Sequence, residues 1–498
     1  MKTLNSALAW WARMQGDTVA LNVASETVTY AQLHDWSNRL AVWLGDQGVV
    51  PGDRVGVCAA NSLDYCALIF GVLRAGGIVS PMNARFTRHE VAEIVGDVSP
   101  RLVFADTAHL DLVAGLGPEV VDLYDVGDFR DGAPADPGLD LDPEWPVVII
   151  STSGSTARPK GVMFTHRSMV DYAAEYHLQE PSIAQGARVL AIAPLSTSAG
   201  FVQLMHYASL GCTLHMEPAF EPAAGLELLV RERINAFGGV PLLFERIAAQ
   251  PGFAEADLSS LRIVTVGGAR VSRPLLETWM SKGIVIRQIY GQTECGGNAT
   301  IMPEALAREA PEKCGWGGPF TRLATVRLDG SPCDPGEVGE ILIRGPGQML
   351  GYWNNPEATA EAIQDGWLHT GDLGVLDERG LLTFVDRMKD IIISGGLNIS
   401  AAEVERAVSD YPGVEEVVVI AAPDPKFAET PMAVLYASQA IDVAALIAHC
   451  NGRLADYKVP RYVVVEGEPL PRLATGKLSK PAVRAKYKDQ IADLPRVR

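Results

Sequence analysis

The chain has 498 residues, room for about three domains of ordinary size. Its 48% hydrophobic and 20% charged residues match a globular protein and exclude a disordered or collagen-like chain. With 42 Lys+Arg against 60 Asp+Glu the formal charge is −18, which excludes binding of nucleic acid or anionic membrane through a net basic surface but not a small anion held by local dipoles.

In chain order, MKTLNSALAWWARMQGD predicts a surface helix rather than a signal peptide, because Asn5 and Arg13 interrupt its apolar stretch. Thr29 and Gln32 form a capping box, and Leu33, Trp36, Leu40 and Trp43 follow at helical spacing, predicting a helix over 30–46. Val55-Gly-Val-Cys58 predicts a short buried strand and 63–75 a helix. The alternation runs to about residue 340 and predicts parallel α/β layers. Pro and Gly gather at 131–145, a linker between subdomains. The run VVIIS at 147–151 predicts a strand buried on both faces.

Beyond residue 330, short strands at 339–345 and 381–386 predict a small β subdomain. Ser400 and Glu403 make a second capping box for a helix over 401–409, and 415–421 and 462–465 read as strands. The fold class is therefore α/β: a large N-terminal domain, 1–388, of parallel α/β layers with its β subdomain, and a small α+β C-terminal domain, 389–498. The seven cysteines are scattered with no C-x-x-C, which argues against a disulfide framework or zinc site and for a reducing, cytoplasmic setting. No apolar run approaches the ~18 residues of a spanning helix.

The strongest chemical segment is Thr152-Ser153-Gly154-Ser155-Thr156-Ala157-Arg158-Pro159-Lys160-Gly161, between the 147–151 strand and an expected helix. Glycine and small hydroxyl residues let backbone N–H groups approach an anion, and Lys160 adds a cation. The order of residues is not that of a Walker A loop, so the reading is phosphate binding of another kind.

This segment resembles the phosphate loop of the adenylate-forming (AMP-binding) superfamily, in its acyl-CoA synthetase, acid–thiol ligase branch. Four further motifs resemble that family in order: Tyr290-Gly-Gln-Thr-Glu294, Gly366-Trp-Leu-His-Thr-Gly-Asp372, Asp386-Arg-Met-Lys-Asp-Ile-Ile-Ile-Ser-Gly-Gly396 and Pro471-Arg-Leu-Ala-Thr-Gly-Lys477. The resemblance covers essentially the whole chain. It implies ATP, Mg²⁺ and CoA, an acyl-AMP intermediate and a mobile C-terminal domain.

Residue by residue, the resemblance implies that Glu294 ligates Mg²⁺, Thr293 sits near the α-phosphate and Lys477 is the adenylation lysine. It implies that Asp372 and Arg387 hold the ribose, Tyr290 stacks on adenine beside Gly268, Ala269 and Gly291, and Gln288 reads the adenine edge. Lys389 takes the hinge position, Gly395 and Gly396 the thiol tunnel, and Tyr457 and Lys458 a stretch that contacts the CoA nucleotide. The acyl pocket is expected from Thr197, Phe201, Val240, Val266, Gly267, Gly291, Gly296 and Gly297, whose glycines suggest space and whose apolar members suggest a hydrophobic acid.

There are departures. Ala157 replaces a phosphate-loop glycine, Ser196 and Thr197 stand for an aromatic followed by His, and Arg270 follows Gly-Gly-Ala. Amino-acid-activating members of the family place an Asp in the stretch matching 196–202; none stands here, so the resemblance argues against an α-amino acid substrate. The expected partners are a small carboxylic acid, CoA or an acyl carrier protein, and at most a second copy in a homodimer. The alternatives are carrier-protein loading, a weakly catalytic nucleotide-binding sensor, and luciferase-like oxygenation.

Overall fold

The computed structural model describes residues 3–152, 160–268, 271–473, 476–488, 490–491 and 494–498. The chain forms two compact units, Met1–Leu323 with Leu342–His369, and Ala324–Ile341 with Thr370–Arg498.

In the first unit the capping box at Thr29 and Gln32 opens the helix Tyr30–Asp46, whose Leu33, Trp36 and Leu40 are buried. Arg54–Cys58 pairs in parallel with Ile78–Met82 and with Leu102–Ala105, and the helix Leu63–Arg74 intervenes. These strands belong to a seven-stranded sheet, and a second sheet has nine strands. The nine-stranded sheet is parallel through its centre and antiparallel at its edges, where Tyr290 meets Thr300 and Val19 meets Thr29. Val147, Val148, Ile149 and Ile150 are buried, as a strand covered on both faces requires.

Two local expectations change. The phosphate-loop segment leads into an antiparallel strand, Lys160–Thr165, and the helix begins only at His166. Val162 and Phe164 are buried and β-favouring, and the strand pairs Ile150 with Val162, so pairing outweighs helix formation. Residues 131–145 form no helix or strand, but both flanks lie in the first unit, so this stretch does not join the two units.

In the second unit, Asp372–Leu376 pairs antiparallel with Leu382–Arg387. A five-stranded sheet follows, with Ala428–Tyr436 between Glu416–Asp424 and Ile391–Ser394 and parallel to Tyr462–Glu466. Ile392, Ile399, Val404, Val419 and Leu435 form its core. Ser400 caps the helix Ala401–Ser409 by accepting from the Glu403 N–H at 3.1 Å. Glu403 does not complete the box; its carboxylate accepts from Lys458 Nζ at 2.7 and 2.8 Å, because a lysine from a remote turn reaches it. Among the described residues no helix is long and apolar enough to cross a membrane.

His166 opens its helix fully buried, and its Nδ1 accepts from the Leu4 N–H at 3.4 Å. Burial lowers its pKa from 6.5 to about 4. The unfolded imidazole takes up a proton first as pH falls, so this stability is complete above pH 6.5 and is lost as pH falls toward 4, at ~1.4 kcal/mol per pH unit for one group. The thermal midpoint is expected to drop between pH 7.5 and 5, and His166→Gln to shrink that drop; an unchanged slope in the variant would refute the assignment.

Candidate functional site

The first unit carries a connected set of polar side chains. Thr152 and Lys160 sit opposite each other at the mouth of the antiparallel pair, and Thr152 Oγ1 donates to the Lys160 carbonyl at 3.2 Å. Ser153, Gly154, Ser155, Thr156 and Ala157 lie outside the described residues, as do Ala269, Arg270 and Thr475. Lys160 Nζ stands 4.8 Å from the ring centroid of Tyr352, a cation–π distance. Tyr352 reaches this place because Gly351–Tyr352 pairs antiparallel with the Lys160 strand, Tyr352 against Val162. Its hydroxyl donates to Glu294 Oε1 at 2.9 Å. Burial, then the neighbouring Glu294 carboxylate, push the Tyr352 hydroxyl pKa well above its usual value. Thr293 Oγ1 lies 3.1 Å from Ser198 Oγ. Sequence reasoning missed Tyr352, since a Tyr after Gly carries no signal until strand pairing places it.

Thr293 and Glu294 are held by a loop that folds tightly onto itself. A Cβ on Gly291 would lie 1.7 Å from the Gly297 carbonyl oxygen, so only glycine allows the approach. Tyr290 is buried, and its N–H donates to Thr300 Oγ1 at 3.0 Å. The Gln288 side-chain amide donates to the Pro311 carbonyl. Gly268 is exposed just after the strand Ile263–Val266.

A cavity of about 70 Å³ adjoins this loop. Its walls come from the helices His166–Gln179 and Ser198–Ser209, the strands Ala236–Gly239 and Ile263–Val266, and the segment Gly296–Asn298. Of the expected acyl-pocket residues, Gly296 and Gly297 line it. Val266 instead joins the apolar cluster of Phe244 and Trp279, and its neighbour Thr265 faces the cavity, as alternation along a strand requires. Phe201 is fully buried but is not among the lining residues, whereas Val202 and Gln203 are. Thr197 caps its helix, accepting from the Gly200 N–H at 3.2 Å and donating to the Pro194 carbonyl at 2.8 Å. Val240 occupies the N-cap position before the helix Pro241–Ala248. Gly267 and Gly291 offer no space: a Cβ on Gly267 would meet Ile289 Cγ1 at 2.6 Å.

The second unit carries its own set. Asp372 is buried opposite Arg387 on the paired strands, with Arg387 Nε 3.6 Å from Asp372 Oδ1. Asp386 is buried beside them and accepts from the Arg387 N–H at 2.8 Å, Ser400 Oγ at 2.8 Å and the Ala402 N–H at 2.9 Å. Lys389 lies in the short turn Met388–Asp390, and desolvation, then Arg387, lower its pKa. The next residue, Asp390, pairs with Arg484 at 2.6 Å. Lys477 ends a tight turn closed by the Gly476 N–H to the Leu473 carbonyl and the Leu473 N–H to the Lys477 carbonyl, both 2.8 Å. Protein atoms around its ammonium, then Arg387, lower its pKa against the pull of Asp372, so these three charges share one neighbourhood. Gly395 and Gly396 form a two-residue hairpin loop with φ of +58° and +83°, the turn that favours glycine at both places. Tyr457 is exposed, and Lys458 is committed to Glu403.

Comparison with known proteins bears on this geometry. The family described as "AMP-binding enzyme" matches residues 8–353, and its C-terminal domain matches 403–477. A feruloyl-CoA synthase from Amycolatopsis sp is 37% identical over 492 residues, 97% of this chain and 99% of that one. A long-chain-fatty-acid–CoA ligase from Mycobacterium tuberculosis is 34% identical, covering 92% and 93%. The solved O-succinylbenzoate coenzyme A synthetase from Bacillus subtilis, in complex with ATP and magnesium ion, superposes with a TM-score of 0.89 at 28% identity, covering 97% and 99%.

Gly291→Ala is expected to lose about 1–3 kcal/mol of stability, because the loop must open to admit a methyl group. Urea denaturation checks this, and a midpoint equal to the parent's would show that the approach of 291 to 297 is not tight.

Proposed function

The chain belongs to the AMP-binding enzyme family, and on that premise we propose that it activates a hydrophobic carboxylic acid with ATP and passes the acyl group to CoA. A carboxylate oxygen attacks the α-phosphorus, pyrophosphate leaves, and an acyl-AMP results. The CoA sulfur then attacks the acyl carbon, AMP leaves, and the thiol proton passes to solvent. A carboxylate needs no general base; the barrier is Coulomb repulsion between anions, so positioning and charge neutralisation are the work required.

The observation that carries this reading is the loop 290–298, which presents Thr293 and Glu294 at one end and borders the cavity at the other. Lys160, with the 153–159 segment, would meet the phosphates. Glu294, a hard oxygen donor, would hold Mg²⁺ together with substrate phosphates. Bound there, the ion would neutralise charge on those phosphates. One Glu294 oxygen accepts from Tyr352, which orients the carboxylate.

Asp372 and Arg387 would hold the ribose, Tyr290 with Gly268, Gly291 and Gln288 the adenine, and Lys477 would bridge the incoming carboxylate and the α-phosphate. Its lowered pKa reflects a cation already partly stripped of water, so less solvent has to leave when phosphate arrives. Lys389 would be the swivel between the two half-reactions, with Gly395, Gly396 and Tyr457 on the side of the thiol. The hydrophobic acid is supported by Val202, Phe237 and Ile263 in the cavity wall and by the aromatic and aliphatic acids in the relatives' names.

Lys477→Ala is expected to lower pyrophosphate release by a hundredfold or more while sparing thioester formation from supplied acyl-AMP; an equal fall in both would remove the lysine from adenylation. Lys389→Pro, with φ fixed, should show the opposite bias. Free CoA is expected to accept the acyl group faster than a phosphopantetheinylated carrier protein, and the reverse ranking would reassign the acceptor.

A further inference from the structure

The turn that carries Lys477 runs from Pro471 to the helix Lys480–Tyr487 and lies within the second unit. Its two arms meet in a short antiparallel bridge, Arg472 against Leu478, and the Ser479 N–H donates to the Pro471 carbonyl at 2.8 Å. Gly476 has a φ of +85°, the left-handed region that favours glycine. Glycine is also the least restrained residue, so the peptide before Lys477 must be held by its hydrogen bonds.

One side chain supplies that hold. Arg472 Nη1 donates to the Gly476 carbonyl at 2.8 Å, and Arg472 Nη2 donates to Glu416 Oε1. Glu416 opens the strand Glu416–Asp424, and its Oε2 accepts from the Leu470 N–H at 2.7 Å. Leu470 is itself buried in the cluster of Val418, Ile420 and Tyr487. The guanidinium thus bridges the sheet and the peptide bond that joins Gly476 to Lys477. Both of its terminal nitrogens already donate within the protein, so the fork is turned to the turn and the sheet.

The other arm of the turn has its own anchors. Lys480 Nζ lies 3.0 Å from Glu405 Oε1, Arg484 Nη2 lies 2.6 Å from Asp390 Oδ1, and Ser479 caps the helix by accepting from the Ala482 N–H at 3.3 Å. Loss of Arg472 would therefore loosen the turn without detaching the helix. A partly exposed ion pair contributes little to global stability. What this one fixes is place. A lysine on a flexible four-carbon stem bridges two anions well only from a fixed backbone, and a misplacement of ~1 Å can cost about a hundredfold in rate.

We propose that Arg472 is a positioning residue for adenylation: clamped by Glu416, it fixes the Gly476 carbonyl and with it the place from which Lys477 reaches. This rests on the adenylation role of Lys477 proposed above and assigns to Arg472 an effect exerted through that lysine.

Amide hydrogen exchange on the free, full-length enzyme reads the clamp. Arg472→Ala is expected to speed exchange in the 470–480 stretch by about tenfold, with a thermal midpoint within about 2 °C of the parent's. Pyrophosphate release with cinnamate and with decanoate reads the consequence: kcat should fall by about tenfold or more, with KM for ATP unchanged and thioester formation from supplied cinnamoyl-AMP or decanoyl-AMP spared. Glu416→Ala should give the same split, and the double variant should fall no further than either alone. Arg472→Lys keeps the charge but not the fork, so it should stay close to Arg472→Ala. Unchanged exchange, an equal fall in both half-reactions, a raised KM for ATP, additive losses, or full recovery in Arg472→Lys would each overturn the assignment. A parent that releases pyrophosphate with neither acid, or a Lys477→Ala variant as active as the parent, would instead overturn the ligase reading, and the exchange measurement would still decide the clamp.

Discussion

The close approach of Gly291 to the Gly297 carbonyl is the constraint on which the first unit's chemistry depends. It folds residues 290–298 into a turn so tight that two sets of residues share one short piece of backbone. Thr293 and Glu294 are placed on one side, and Gly296, Gly297 and Asn298 wall the cavity on the other. A group bound in the cavity is thereby set at a fixed offset from Thr293 and Glu294, the residues proposed to face the phosphates. That is the pre-organisation an attack on phosphorus requires.

Electrostatics follows from the same economy. A protein with a net charge of −18 brings a polyanion and a carboxylate together with few cations. Lys160 leans on the Tyr352 ring, and among the described residues no carboxylate pairs with it. Glu294 takes a hydrogen bond from Tyr352, which fixes the carboxylate without neutralising it. In the second unit Asp372 balances Arg387 and Lys477, holding two cations near each other.

Much of the fold was legible in the chain. Apolar runs without alternation marked strands covered on both faces, and the capping box at Thr29 marked a helix start to the residue. The motif residues could be located, although their roles rest on the proposal. What hydropathy could not say is which way a side chain points inside a strand buried on both sides. Val266 and Thr265 are both buried, and only the sheet decides that the threonine faces the cavity and the valine the core. The helix Ser198–Ser209 is apolar nearly all round, so its sequence does not say that Val202 and Gln203, rather than Phe201, line the cavity. Pairings between distant segments were equally silent: Glu403 with Lys458, and Tyr352 with Glu294.

Asp386 has a consequence for movement. Its Oδ2 accepts from Ser400 and from the first turn of the helix Ala401–Ser409, so a side chain from before Lys389 bonds chain that follows it. On the proposed role of Lys389, a swivel there would have to break these two hydrogen bonds. Breaking them would uncap the helix start and re-wet its N–H groups, so Asp386 would act as a detent on that proposed movement.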